Sequence, residues 1–323
     1  MTLQDFLALP VRERPLFVVS DGMGVDSTAM LVALKRLGLR PDVILHADTG
    51  DEHPETVVYR EARRTWLRSV GFPDLTMVQR PPSRSGRTGK SFRTLAEKCI
   101  ANETLTGIAF GGKSCSVEWK IKPQERYLRG HAGARATWAT GRRVVKAIGY
   151  DIGPIDSRRA HNLTSDKHYN YVYPLRELGW DRERAAAEIR AEGLPVPRKS
   201  SCYHCTAMKP WELAELVRDW PELADMIIAM EEAAGPRLRK SEGLWRRTVK
   251  GQRGAVPRPG SMAVFIRQLR ADPTRIDHYL AMKPVPRSVR GVMLGGVPQF
   301  KAAPPSRRRH LTVLERAPSS VAA

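Results

Sequence analysis

Short apolar runs alternate with amphipathic stretches through the first part of the chain. LFVVS, PDVILH and LTMVQ are rich in β-branched residues and are bounded by turn-forming residues, which predicts buried parallel strands. STAMLVALKRLG and HPETVVYREARRTWLRSVG lie between them, carry apolar residues at helical spacing and end at a glycine, which predicts helices. This alternation of strand and helix predicts a parallel α/β sheet with right-handed crossovers.

The same pattern returns in the middle of the chain. RRVVKAIGYD predicts another core strand that ends at Gly149, and WDRERAAAEIRAEG predicts a helix that is closed by Gly193. Residues 209–235 predict one or two helices, and Pro221 is a suitable first residue for the second of them.

Other stretches are less regular. PPSRSGRTGKSF has the composition of an exposed basic loop, and SVEWKIKPQERYLRG predicts a helix that is interrupted at Pro123. After residue 235 the apolar periodicity is lost, except in SMAVFIRQLRADPTRIDHYLAM, which predicts a short amphipathic helix or a pair of helices. Three aromatic residues in this part are candidates for a small core or for stacking on bases: Trp245, Phe265 and Tyr279.

The composition fits a folded chain with a basic appendage. The chain has 323 residues, and 41% of them are hydrophobic, which is enough for a sizeable core. We predict an α/β domain over residues 1–235, followed by a basic helical C-terminal extension and flexible tail over residues 236–323.

Positive charge dominates the chain. Its 54 lysines and arginines exceed its 34 acidic residues, for a net charge of +20. Such a charge attracts polyanions and favours a nucleic-acid or nucleotide partner, the alternative being a solvated basic surface. No run of about 18 apolar residues is present, and the N-terminus lacks the basic and apolar parts of a signal peptide. We therefore expect a cytoplasmic protein that does not contact membranes.

The first predicted strand opens into a helix through small residues, SDGMGVDST. Free N–H groups and the helix dipole make such a turn an oxyanion site, and Gly22 and Gly24 let phosphate oxygens approach the backbone. Hydroxyl donors are supplied by Ser20, Ser27 and Thr28. The turn is not a Walker A loop, since no Gly-Lys-Ser/Thr follows, and it is not a Rossmann fingerprint, since Ser27 stands at the third glycine position.

The motif S-x-G-x-G-V-D-S-T resembles the pyrophosphate loop (PP-loop) of the N-type ATP pyrophosphatases, and more narrowly that of the phosphoadenosine phosphosulfate (PAPS) reductase-like family. Asp21 departs from the family pattern, in which small or aromatic residues are commoner; it would either weaken anion binding or help to hold a metal. HADTGDEHPET at residues 46–56 resembles the family segment D-T-G-x-x-x-P-E-T, and AIGYDIGPIDSRRA at residues 147–160 resembles a family strand followed by glycine, acid and arginine.

The resemblance implies an adenine nucleotide alpha hydrolase-like, Rossmann-like sheet that binds ATP and Mg²⁺ at the carboxyl ends of its strands. The implied nucleotide-binding residues are Ser20, Gly22, Gly24, Asp26, Ser27, Thr28, Asp48, Thr49, Gly50, Gly149, Arg158 and Arg159. Asp26, Ser27 and Asp48 are the implied catalytic residues. Asp48 would orient the nucleotide or Mg²⁺, and the arginines would grip phosphates, unless they are an ordinary exposed pair.

The four cysteines are Cys99, Cys115, Cys202 and Cys205. Cys202 and Cys205 form a C-x-x-C motif, which can clamp a metal from one turn. Residues 115–123, 173–175 and 200–209 resemble, in order, C-S-x-x-x-K-x-x-P, Y-P-L and S-x-C-x-x-C-x-x-x-K segments of phage and bacterial members of the family. The resemblance spans roughly residues 15–215 and favours a [4Fe–4S] cluster. Tetrahedral zinc, a redox C-x-x-C and metal-free thiols are the alternatives, and Cys99 is either the fourth ligand or a core thiol.

The implied function is adenylation of an acceptor with release of pyrophosphate, for sulfur incorporation into a nucleic acid or nucleotide, as in tRNA thiolases and the ATP pyrophosphatases of DNA phosphorothioation. DNA or tRNA and a cysteine desulfurase or another sulfur donor are the implied partners. A sulfonucleotide reductase is disfavoured because no Glu-Cys-Gly motif is present and no cysteine follows Cys205. A non-catalytic nucleic-acid-binding protein on the same scaffold is the remaining alternative.

Overall fold

A computed structural model of the chain describes residues 2–106, 114–248 and 256–284. Five parallel strands form one sheet in the order β3-β2-β1-β6-β7, and two further strands form an antiparallel hairpin. The strands are β1 Phe17–Ser20, β2 Val43–Asp48, β3 Leu75–Gln79, β4 Ser83–Arg84, β5 Ser91–Phe92, β6 Val144–Ile148 and β7 Tyr169–Val172. The predicted α/β class with a parallel sheet is therefore confirmed.

Helices flank this sheet and continue beyond it. They are α1 Leu3–Ala8, α2 Val25–Arg36, α3 Pro54–Ser69, α4 Leu95–Asn102, α5 Ser114–Ser116, α6 Lys122–Gly130, α7 Ala132–Ala139, α8 Pro154–Asn162, α9 Pro174–Glu177, α10 Arg182–Ala191, α11 Pro210–Asp219, α12 Pro221–Ala234, α13 Met262–Ala271 and α14 Thr274–Ala281. No helix of the described ranges is long and apolar enough to cross a membrane.

The two faces of the sheet bury separate cores. Side chains alternate along a strand, so Val19 of β1 packs in a cluster with Met30 of α2. Its neighbour Val18 packs in another cluster with Leu128 of α6 and Ala134 of α7. Because both faces are covered, the central strand β1 is apolar on both sides, with Phe17, Val18 and Val19 all buried, as the sequence pattern predicted. Their carboxyl ends are left at one edge, where loops meet.

The predicted strands and helices of the first part are present, and two stretches differ from prediction. The segment expected to be a basic loop contains the short ladder of β4 and β5, in which Ser83 pairs with Phe92. The helix expected to break at Pro123 instead continues, because a π-helical turn at Val117–Ile121 joins α5 to α6. Pro123 is the second residue of α6 and directly follows this π-helical turn.

A second apolar core joins α4 and α11–α14. Trp245, Phe265 and Tyr279 are all buried in it, so these aromatic residues belong to the core and are not exposed for base stacking. Helices α13 and α14, which follow the predicted domain boundary at residue 235, pack against α11 and α12, which precede it. The boundary itself stays a prediction, and the predicted tail from residue 285 onward lies outside the described residues.

Glu231 holds the start of α13 in this second core. Its buried carboxylate accepts the N–H groups of Leu244 at 2.6 Å, Met262 at 3.0 Å and Ala263 at 3.0 Å, and also the hydroxyl of Ser261. Four donors on one carboxylate satisfy it fully, which a buried charge requires.

We expect Glu231→Gln to lower the free energy of unfolding by about 2 to 4 kcal/mol, because an amide cannot accept all these donors and turns its own N–H toward some of them. The measurement is urea denaturation. The control is Glu232→Gln, which removes only a surface ion pair with Arg267 and should cost about 1 kcal/mol or less. Equal losses in the two variants would contradict the role of Glu231.

Candidate active site

The turn between β1 and α2 is folded tightly on itself; we call this turn and the first three residues of α2, residues 21–27, the phosphate loop. The Asp21 carboxylate accepts the N–H of Met23 at 2.8 Å, and the Ser27 hydroxyl accepts the N–H of Gly24 at 3.1 Å. Met23 has φ +59°, a left-handed conformation that is costly for a residue with a side chain. The loop therefore depends on these local bonds and on its neighbours.

A buried ion pair anchors the phosphate loop to α3. Arg63 lies 2.6 Å from the Asp21 carboxylate, and both side chains are completely buried. Arg63 also donates to the Thr28 hydroxyl, and the His46 ring donates from Nδ1 to the Asp21 carbonyl at 2.9 Å. The Asp21 charge is thus compensated inside the fold. It neither opposes an anion at the loop nor is available to a metal.

The loop presents free backbone donors. Among the described residues, the N–H groups of Gly22, Val25, Asp26 and Ser27 donate no hydrogen bond. The last three lie in the first turn of α2, at the positive end of the helix dipole. This is the arrangement that holds phosphate or sulfate oxygens in proteins.

Gly149, at the end of β6, packs directly against this turn. A Cβ atom added at Gly149 would lie 2.7 Å from the Asp26 carbonyl oxygen and 2.8 Å from the Ser27 nitrogen. Neither backbone atom can move without moving α2. Only glycine fits here, and the segment that follows β6 is thereby brought against the phosphate loop.

The hydroxyl groups predicted to bind phosphate are engaged within the protein. Ser20 donates to the Gln124 side chain at 2.8 Å, and Thr28, which is fully buried, donates to the Gly24 carbonyl at 2.7 Å. Ser27 bonds back to the same Gly24 peptide. These bonds shape the loop, and direct contact of the three hydroxyls with a nucleotide stays a prediction.

Asp26 is paired with a residue that the sequence did not indicate. Both of its carboxylate oxygens lie 2.7 Å from Nη1 of Arg182 in α10. Burial raises the pKa of Asp26, the Arg182 charge lowers it, and the nearby charges of Asp151 and Asp156 raise it further. The net shift is upward. Arg182 stands more than 150 residues along the chain, so no local motif could have connected the two.

The arginine pair of α8 divides into two roles. Arg159 bonds the Asp156 carboxylate at 2.9 Å and lies over the Tyr150 ring, 5.5 Å from its centroid. Arg158 is exposed and has no hydrogen bond or ion pair among the described residues. Arg158 is therefore the arginine of the pair that is free to meet a phosphate, and both assignments stay predictions.

The segment after β2 faces the same edge. The Asp48 carboxylate accepts the Gly50 N–H at 2.8 Å and lies 3.3 Å from the Gln79 amide and 3.5 Å from Arg60. Gly50 has φ +78° and packs so closely on Thr94 that a Cβ would lie 2.7 Å from its methyl group. Asp48 is thereby held beside the end of β3.

Thr49 links this segment to the C-x-x-C motif. Its hydroxyl lies 3.1 Å from the Cys202 sulfur, and Glu52 forms an isolated antiparallel bridge with Cys202. The nucleotide motif and the cysteine motif are therefore in direct contact, although about 150 residues separate them in the chain.

The cysteines lie near one another without forming a compact ligand group. Cys202 and Cys205 close one turn, in which the Cys205 N–H donates to the Cys202 carbonyl at 3.1 Å. Cys115 and Cys202 pack on the same small apolar cluster, whereas Cys99 is buried in the second core. Within the described ranges, no three His, Cys, Asp or Glu side chains are close enough to hold a metal ion.

Burial raises the pKa values of two of the thiols, those of Cys99 and Cys202. Desolvation raises the pKa of Cys99 to about 12, and it raises that of Cys202 to about 12, against a smaller opposing effect of the Lys120 charge. Both are neutral thiols in the metal-free protein, so binding a metal or cluster would release their protons. The donor set fits an iron–sulfur cluster or zinc in its chemistry, and the ligand assignment stays a prediction.

A buried charge network behind Thr49 was not predicted. The Glu52 carboxylate lies 3.3 Å from Nε2 of His46 and 3.8 Å from Nζ of Lys120. Burial opposes protonation of His46, but the hydrogen bond and charge of Glu52 outweigh it and raise the pKa of His46. His46 thus joins the phosphate loop, through the Asp21 carbonyl, to the segment that contacts Cys202.

No family model matches the sequence, and no curated protein matches it significantly. Solved structures do align with it, among them a reductase and a thiolase. The phosphate complex of phosphoadenylyl-sulfate (PAPS) reductase from Candida auris aligns over 63% of this chain and 89% of its own, with 15% identity and a TM-score of 0.38. The U34-tRNA thiolase NcsA from Methanococcus maripaludis, with its [4Fe–4S] cluster, aligns over 81% of this chain and 84% of its own, with 12% identity and a TM-score of 0.37.

These two structures represent the two kinds of enzyme that the sequence motifs resemble, a sulfonucleotide reductase and a thiolase. At identities and TM-scores this low, neither match carries an argument about the activity of this chain.

Proposed function

We propose that the protein is a PP-loop enzyme that binds ATP at the phosphate loop, adenylates an acceptor with release of pyrophosphate, and so prepares the acceptor for sulfur. The observation that carries the proposal is the set of free N–H groups at the start of α2. These N–H groups lie just after the carboxyl end of β1, at the edge of the sheet where α/β proteins bind nucleotides.

The residues at this edge suit transfer at the α-phosphorus of ATP. The loop N–H groups would hold the β- and γ-phosphates, and Arg158 would add a charge-assisted contact. An acceptor oxygen forms a bond to the α-phosphorus while the bond to the bridging α–β oxygen breaks, and pyrophosphate carries away that electron pair. Catalysis of this kind consists mainly of positioning and charge stabilisation. Mg²⁺ would offset the phosphate charge, with Asp48 as its expected ligand.

Sulfur chemistry is supported by the position of the cysteines. Thr49, in the nucleotide segment, touches Cys202, so an acceptor activated at the phosphate loop would be near the thiols. Cys115, Cys202 and Cys205, with Cys99 as the fourth residue, would hold a [4Fe–4S] cluster or, alternatively, zinc. A bound cluster would supply a site for sulfur or for electrons. A cysteine desulfurase or another donor would deliver the sulfur.

The acceptor we propose is a nucleic acid, DNA or tRNA, in the cytoplasm. The net charge of +20 favours a polyanionic partner. A reductase of the sulfonucleotide type is the second candidate, but it would need a late nucleophilic cysteine, and Cys205 is the last cysteine of the chain. A non-catalytic nucleic-acid-binding protein on this scaffold would bind ATP, if at all, without turnover.

The proposal is tested by pyrophosphate release from ATP, with and without added DNA or tRNA. Gly149→Ala should weaken ATP binding and pyrophosphate release by about tenfold or more, because the new methyl group displaces the Asp26–Ser27 peptide and with it the phosphate donors, which are worth about 1.5 to 3 kcal/mol each. Calorimetric titration with ATP measures the binding.

Gly130→Ala is the matched control, since a Cβ at Gly130 meets nothing within 4 Å. Unchanged ATP binding in Gly149→Ala, with both variants folded, would contradict a nucleotide site at the phosphate loop. ATP binding by the wild-type protein without pyrophosphate release, with any nucleic acid, would support the non-catalytic alternative.

The cysteine assignment has a separate test. We expect anaerobically purified protein to contain iron and sulfide, and Cys202→Ser to lose both, because one thiolate fewer opens the site. Ser201→Ala is the control for folding. Cys99→Ser in the same measurement decides its role: loss of iron is expected for a fourth ligand, and full retention would make Cys99 a core thiol. Zinc in place of iron would support the tetrahedral alternative.

A further inference from the structure

A cationic cavity lies beside the end of β3. Its volume is about 540 Å³, and its walls include Arg80, Pro81, Val117, Glu118, Lys122 and Arg126. Cavities of this size hold ligands of nucleotide size. Of the eight residues that line it, three are cationic and three are apolar, which is a composition suited to a group that is anionic at one end and has flat apolar faces at the other.

Some charged side chains of the cavity form ion pairs, and others have no partner among the described residues. Glu118 lies 3.2 Å from Arg80 and also pairs with Lys98, so its negative charge is already compensated. Lys122 and Arg126 are exposed, and neither has an ion-pair or hydrogen-bond partner in the described part of the chain. The cavity therefore has a net positive charge that the fold itself does not neutralise.

The segments that line the cavity also contact both parts of the candidate active site. Gln124, in the same turn of α6 as Lys122 and Arg126, accepts the Ser20 hydroxyl at 2.8 Å at the end of β1. Ser114, which precedes Cys115, also lines the cavity. A ligand here would lie beside Ser114, the residue before a candidate cluster ligand, on a face of α6 other than the one that contacts Ser20.

Positive charge continues from the cavity onto the β4–β5 hairpin. Arg80 donates to the Ser83 hydroxyl at 2.9 Å and so ties the hairpin to the cavity wall. Arg84 and Lys90 on the hairpin are exposed. A ligand that used both surfaces would need several phosphates in a row, which a mononucleotide does not offer and a nucleic-acid strand does.

We propose that this cavity receives one unpaired nucleotide of a single-stranded nucleic acid, with Lys122 and Arg126 on its phosphates and Arg84 and Lys90 on the flanking backbone. Pro81 and Val117 offer apolar contact to the base. A paired base is stacked inside its duplex and would first have to leave it, at a cost of a few kcal/mol. The proposal rests on the proposed function only in treating this strand as the acceptor.

The test is fluorescence anisotropy of the full chain with a labelled single-stranded oligonucleotide over a range of salt concentrations. Lys122→Ala/Arg126→Ala should weaken binding by about tenfold at physiological salt and reduce the salt slope by about 0.7 for each phosphate that is no longer neutralised. Arg12→Ala/Arg190→Ala removes the same charge from exposed positions that do not line the cavity and should change binding little.

A substitution that is expected to strengthen binding separates an electrostatic effect from a loss of affinity caused by local unfolding. Glu118→Gln removes the negative charge of the cavity wall and should tighten binding by about twofold to threefold. An equal loss of affinity in the cavity and control variants, weaker binding by Glu118→Gln, or equal affinity for a duplex of the same length would overturn the proposal. Competition by a mononucleotide or inorganic phosphate at low concentration would also overturn it, in favour of a small-anion site.

Failure of this proposal is distinguishable from failure of the proposed function. Pyrophosphate release from ATP without nucleic acid, and ATP binding itself, should be unchanged in Lys122→Ala/Arg126→Ala, because neither residue contacts the phosphate loop. Unchanged oligonucleotide binding with normal pyrophosphate release would reject the cavity and leave the enzyme. If the wild-type protein binds the oligonucleotide, the cavity variant binds it more weakly, and no pyrophosphate is released, the proposed function is rejected and the nucleotide-binding cavity is retained.

Discussion

The phosphate loop keeps its shape because Arg63 holds Asp21 inside the protein. A loop that leaves several N–H groups free for a ligand cannot use them to stabilise itself, and the left-handed Met23 adds a strain of order 1 to 3 kcal/mol. The buried Asp21–Arg63 ion pair and the hydrogen bond from His46 to the Asp21 carbonyl offset this strain. Removing one partner of such a pair would leave a buried charge alone, which costs about 3 to 5 kcal/mol. Asp21, which departs from the pattern that the motif resembles, is thus a structural anchor of the loop.

The same edge of the sheet brings together parts of the chain that are distant in sequence. Parallel strands all end on one side, so the segments after β1, β2 and β6 must meet there. Interatomic distances make the meeting specific: Gly149 has no room for a side chain against the Asp26–Ser27 peptide, and Thr49 touches Cys202. The cysteines are therefore part of the same neighbourhood as the phosphate loop, which is what a coupled adenylation and sulfur step would require.

Sequence reasoning found the elements whose pattern is local and missed the contacts that depend on tertiary structure. The strands β1, β2, β3 and β6 were predicted because each is a short apolar run with clear ends. The strand β7, with the sequence YNYV, was missed because tyrosine and asparagine give no apolar alternation over four residues.

The ion pairs of the site were not predicted either, because they also depend on tertiary structure. Arg182 and Arg63 are two of many arginines on amphipathic helices, and nothing in their immediate sequence distinguishes them from surface residues. Pro123 led to the wrong prediction of a helix break, because proline usually breaks a helix. Here it lies in the first turn of α6, directly after a π-helical turn. His46 and Glu52 lie inside a recognised motif, but their pairing depends on how the chain turns after β2.

The excess of positive charge acts only where the fold leaves it unpaired. Around the phosphate loop, Arg182 is committed to Asp26 and Arg159 to Asp156, so these cations add little net field. Arg158, Lys122 and Arg126 have no such partner among the described residues. Screening limits an exposed charge to a range of about 8 to 10 Å. An approaching polyanion therefore responds to the unpaired cations nearest to it and not to the total of +20, which is why composition alone indicated an anionic partner but not where it binds.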